Sequence, residues 1–114
     1  MNNTSTLEQL LVAKGISLQA LGLKEVGLLR GDALHAVELL RESSVPILGG
    51  DVYFIRGQSV EQAFANWHTE ARAGEGRAEF TERSCGQTTK YIETFPHRGD
   101  VSPVFVLVVS EGQE

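Results

Sequence analysis

At 114 residues, with a formal net charge of −5 and one cysteine, the chain excludes an internal disulfide framework and any cysteine-cluster zinc site. Its 41% apolar and 22% charged residues make an ordinary globular mixture, sized for one domain across residues 1–114 with a modest core. A net negative surface repels phosphate backbones, so nucleic acid is not expected as a partner; the charge suits a basic protein, or simply keeps a small protein soluble.

The chain opens with "MNNTSTLEQLLVAKG", which is polar and lacks the basic segment of a secretory leader. No run approaches the roughly eighteen apolar residues of a membrane span, so a cytoplasmic protein without a membrane partner is expected. Ser5 and Glu8 have capping-box spacing, Leu7, Leu10 and Leu11 share a face, and Gly15 can close this first helix. "SLQALGL" reads as a short helical turn and "KEVGLL" as a strand. In "GDALHAVELLRES", Asp32 is the expected N-cap of a helix whose stripe is Ala33, Ala36, Val37 and Leu40. Pro46 then begins an extended segment.

"DVYFIRG" is a strand of period two, with Val52 and Phe54 on one face and Tyr53 and Ile55 on the other. "NWHTEA" alternates as well: Trp67 and Thr69 face one way, Asn66, His68 and Glu70 the other, although the preceding "VEQAFANW" is compatible with helix. Phe80, Ser84, Cys85, Thr88, Tyr91, Ile92 and Phe95 recur at helical spacing up to Pro96. Gly86 inside that helix suggests a close packing partner. "PVFVLVVS" reads as a strand buried on both faces. The sum is an α+β domain, helices packed on one mainly antiparallel sheet of about four strands.

The stretch "VPILGGDVYF" raises the functional question, because Gly49 and Gly50 interrupt a good strand just before Asp51. A phosphate loop fails, since a strand follows and no lysine does. A catalytic reading needs Asp51 with His68 and, as nucleophile, Cys85; a thiol on an apolar stripe with no cationic neighbour is more usually core. A metal site would draw on His35, His68 and His97, but no HxH, HxxxH or Cys–His spacing exists, so no metal or cofactor is expected. Trp67 can be core support or an interface anchor, with core favoured. The remaining reading makes the glycines a bend that turns Asp51 and Tyr53 onto a surface beside Asn66, His68 and Glu70.

"EVGLLRGDALHAVELL", "VPILGGDVYF", "NWHTEA" and "ERSCGQTTKYIETF", followed by the apolar terminal strand, resemble the bacterial immunity protein 40 family over about residues 22–109. The matching positions include Asp32, Gly49, Gly50, Asp51, Val52, Asn66, Trp67, Ser84, Tyr91 and Ile92. The chain departs from the family pattern at His68, where an aromatic is the rule, and in "SCGQTTKYI". The resemblance implies a non-catalytic antidote that binds a cognate toxin domain and protects the producing bacterium. On that reading Asp51, Tyr53, His68 and Glu70 form the contact surface, with Glu25 and Glu38 as secondary candidates. Asp32, Gly49, Gly50, Trp67, Ser84 and Tyr91 are then structural. Two other classes stay open: a small ligand-binding or hydrolytic domain using Asp51, His68 and Cys85, and an assembly subunit pairing through its terminal strand. A monomer or weak homodimer is expected.

Overall fold

A computed structural model describes residues 3–110, with side chains from residue 7 onward. In chain order the elements are α1 (Asn3–Lys14), β1 (Ile16–Ser17), a 3-10 turn (Gln19–Leu21), β2 (Val26–Leu29), α2 (Arg30–Glu42), β3 (Ile47–Arg56), β4 (Ser59–His68), α3 (Arg77–Thr94) and β5 (Ser102–Val109). The strands form one sheet in the order β1-β2-β5-β3-β4, and every neighbouring pair is antiparallel. The α+β expectation holds, with five strands instead of about four; the addition is β1, two residues too short to carry a periodic signal.

The three helices cover one face of the sheet. Leu28, Val52, Trp67 and Phe105 from the strands meet Ala33, Ala36, Val37 and Leu40 of α2 and Cys85 and Ile92 of α3 in one core, against which Leu7, Leu10 and Leu11 of α1 also pack. Aromatic rings stitch its far end: Trp67 stacks on Tyr91 with centroids 4.6 Å apart, and Phe95 stands edge-on to Phe105 at 5.7 Å. β5 lies between β2 and β3, and Pro103 through Val106 are buried, but the expected burial on both faces does not extend to Val108, which is 46% exposed.

Three local expectations are corrected. α2 begins at Arg30 with Leu29 as its cap residue and no side-chain cap bond, so Asp32 is the third helical residue. Its carboxylate still opposes the positive end of the helix dipole, without capping the helix. α1 begins at Asn3, which puts Ser5 inside its first turn; the Ser5 side chain lies outside the described residues. At the other end the amide of Gly15 does donate to Leu11 O, at 2.8 Å.

Gly86 is the third correction. It is exposed, and a Cβ built there would meet nothing within 4 Å, so no close partner demands the glycine. Gly86→Ala should therefore raise stability by about 0.5–1 kcal/mol through the higher helix propensity of alanine. Urea denaturation checks this, and a loss of stability would show that the position has a contact partner after all.

The glycine pair does not break β3, which runs through it for 10 residues. Against β5 the register slips between Ile47 and Gly49, leaving Leu48 as the extra residue of a bulge, and Gly49 takes φ 145°. The peptide groups at this irregularity are held by side chains from two other elements. Ile47 N donates to Ser84 Oγ of α3 at 3.0 Å, and Thr69 Oγ1, just past β4, donates to Ile47 O. Gly50 lies beneath the indole of Trp67: a Cβ there would sit 2.3 Å from the ring carbon Cη2 and 2.3 Å from Val106 O. Trp67 Nε1 in turn donates to Thr88 Oγ1 at 3.0 Å, which leaves the buried indole satisfied. Ser84, Tyr91, Trp67 and both glycines thus form one structural unit around the start of β3.

Candidate functional site

Strand alternation sorts β3 into two sets of residues. Gly50, Val52 and Phe54 turn towards the helices, while Asp51, Tyr53 and Ile55 turn to the opposite, helix-free face. The register brings Asp51 opposite Asn66 of β4 and Val106 of β5, and Gly49 opposite His68 and Val108. Sequence alternation within each strand therefore placed Asp51, Asn66 and His68 together on the same face.

Half of this face is covered. The segment through the 3-10 turn lies across it, so that Leu18, Tyr53 and Val106 form a second buried cluster with Leu21, Leu23 and Val60. Tyr53 is only 8% exposed and is not available as a surface contact, contrary to the expectation from alternation. Burial first, and then the charges of Asp51 and Glu25, push its hydroxyl pKa above the ordinary tyrosine value. Glu25 is exposed just before β2.

Beyond this cover lies an open groove of about 360 Å³, lined by Gly49, Asp51, Asn66, His68 and Val108 among others. Val108 is 46% exposed and contributes apolar surface to its lining. Glu70 stands past the end of β4, where His68 Nε2 donates to Glu70 Oε2 at 2.8 Å. Both side chains are largely exposed, at 70% and 77%. The groove is thus open to solvent and carries one carboxylate, Asp51, with the exposed His68–Glu70 pair at its end. A smaller apolar cavity of about 140 Å³ lies on the helix face, between α1 and the sheet.

Cys85 is not part of this constellation. It is 1% exposed within the helix-face core, and burial pushes its thiol pKa up to about 11. The sheet stands between it and Asp51 and His68, so the three cannot act as nucleophile, base and orienting acid. Glu38 is also removed from the groove: it lies on α2, paired with Arg41, which reaches Glu82 of α3. Among the described residues no group of three or more His, Cys, Asp or Glu side chains could hold a metal ion, and no helix is long and apolar enough to cross a membrane.

Phe64 was missed. It lies in a bulge of β4, where the pairing jumps from Val52↔Ala65 to Tyr53↔Gln62 and leaves Ala63 and Phe64 without partners. Its φ is 54° and its exposure 88%. Extending the alternation of Asn66 and His68 two residues towards the N-terminus would have placed it on the polar face.

A half-covered antiparallel sheet with a solvent-open groove on one side and a helix-backed core on the other defines a small α+β protein. Residues 17–109 match the family Immunity protein 40, and the chain belongs to that family. Comparison with curated proteins and with solved structures gave no match.

Proposed function

We propose that this chain is an antidote that binds a cognate bacterial toxin domain in the cytoplasm and neutralises it without catalysis of its own. Membership of the Immunity protein 40 family over residues 17–109 carries this reading. The groove supports it by offering Asp51, Asn66, His68 and Glu70 at an accessible surface. Asp51 and Glu70 would meet basic groups of the toxin, as complementary charge steers association and rejects wrong partners. Where the toxin acts on nucleic acid, such carboxylates would occupy positions that substrate phosphates otherwise take. The hydrolytic alternative loses its nucleophile with the burial of Cys85.

The test begins with capture of the toxin by the tagged full chain from its native cells, followed by affinity measurement on the purified pair. Asp51→Lys should weaken binding by about 10-fold or more, largely by slowing association, and raised salt should shrink the difference. Because Asp51 is exposed, the melting temperature should stay unchanged. Full affinity in the variant would remove Asp51 from the contact surface. Failure of the wild-type chain to bind any growth-arresting protein would overturn the antidote reading itself.

A further inference from the structure

We propose that Phe64 is the anchor of the toxin interface, entering an apolar recess on the toxin that is rimmed by basic side chains. This inference rests on the antidote reading above and adds to it a residue, a position and a partner chemistry. An aromatic side chain left 88% exposed forgoes the burial that would ordinarily stabilise it. The same residue is held at φ 54°, in the left-handed region that bulky side chains avoid; Ser44 is the other non-glycine residue with positive φ among the described residues. Two unfavourable features thus coincide at one residue, an exposed ring and a strained backbone. Strained backbone at an exposed side chain marks a place where a partner supplies the missing contacts.

The surroundings define the partner. Ala63 and Ala65 pack against the helix-face core on either side, so the backbone beneath Phe64 is fixed while its ring projects away from the helices. By alternation it continues the row Asn66 and His68, and Asp51 lies across from Asn66. The ring is therefore an apolar point beside an acidic groove, the arrangement of an interface hot spot within a polar surround. β4 is an edge strand, but its bulge interrupts the row of backbone groups that a second strand would need. Recognition here runs through the side chain, and main-chain pairing with a second copy of this chain is disfavoured.

The experiment uses the full chain and the toxin domain captured with it, produced recombinantly and verified by growth arrest. Phe64→Ala should raise the dissociation constant about 100-fold with an unchanged or higher melting temperature, while Phe64→Tyr stays close to wild type. Val12→Ala removes an equally exposed apolar side chain on α1, and should leave binding unchanged. If the wild-type chain binds and Phe64→Ala costs less than about tenfold, the anchor is overturned and the antidote reading stands. Sedimentation of the free chain supplies the other outcome: a dimer that Phe64→Ala dissociates would show that Phe64 covers a self-interface, and would equally overturn the proposal. A wild-type chain that binds no toxin defeats the antidote reading, and the anchor with it.

Discussion

Gly50→Ala should destabilise the protein by about 3 kcal/mol or more, a large part of the ~5–15 kcal/mol that holds a domain of this kind together. The added methyl meets two obstacles of different stiffness. One is the Trp67 ring at 2.3 Å, a side chain that can shift; the other is Val106 O at 2.3 Å, backbone of a strand paired on both sides. Side-chain movement relieves only the first, so the sheet itself has to yield. Urea denaturation measures the loss. Trp67→Phe, which shortens the ring, should offset part of it, and the non-additivity of the double variant reports the ring's share. A Gly50→Ala protein as stable as wild type would mean that β3 and β5 can separate at this point at little cost.

Trp67→Ala should cost about 4 kcal/mol, comparable to the loss at Gly50. The indole stacks on Tyr91, stands edge-on to Phe105 at 6.5 Å, and is 8% exposed, so truncation opens a cavity between β4 and α3. It also deprives the buried Thr88 hydroxyl of its partner, which adds a desolvation penalty. Trp67→Phe keeps the apolar contact and loses the hydrogen bond, and should cost about 1–2 kcal/mol. The quenched or shifted fluorescence of this single tryptophan gives a direct unfolding signal for every variant that retains it. A loss below about 1 kcal/mol for Trp67→Ala would show the residue to be peripheral to the core.

These two positions also show where sequence reading succeeds and where it stops. The stripe Ala33, Ala36, Val37 and Leu40 is a local pattern, and it places α2 against the sheet directly. The run from Pro103 to Val106 is buried as its apolar character suggests, whereas Val108, later in the same unbroken run, is 46% exposed. Gly49 and Gly50, by contrast, look like a break, although the reasons for them are a bulge backbone at φ 145° for Gly49 and, for Gly50, the indole of a residue seventeen positions away. Most of β4, "VEQAFANW", has a composition that also suits a helix; pairing with β3 overrides that preference. Cys85 and Trp67 read correctly as core because both lie on apolar faces.

The candidate surface was legible to the extent that strand alternation governs it. Asp51, Asn66 and His68 share a face for that reason alone, and antiparallel pairing sets them side by side. Tyr53 has the same parity as Asp51 but is buried, because the segment carrying Leu18, Leu21 and Leu23 folds back across the sheet. Nothing in the alternation of β3 announces a cover contributed by a distant loop. Phe64 follows the same alternation two residues before Asn66, but the composition of this stretch also suits a helix, and without a strand there the alternation cannot be extended to it.

The sheet separates two kinds of residue by its own thickness. Gly50, Trp67, Tyr91, Ser84 and the helix stripes keep the fold on one side, while Asp51, Asn66, His68 and Val108 on the other take little part in it. Substitutions on the open side therefore carry small stability penalties, and they can accumulate without first requiring compensating changes inside. The chemistry of the open face can thus change on an unchanged frame.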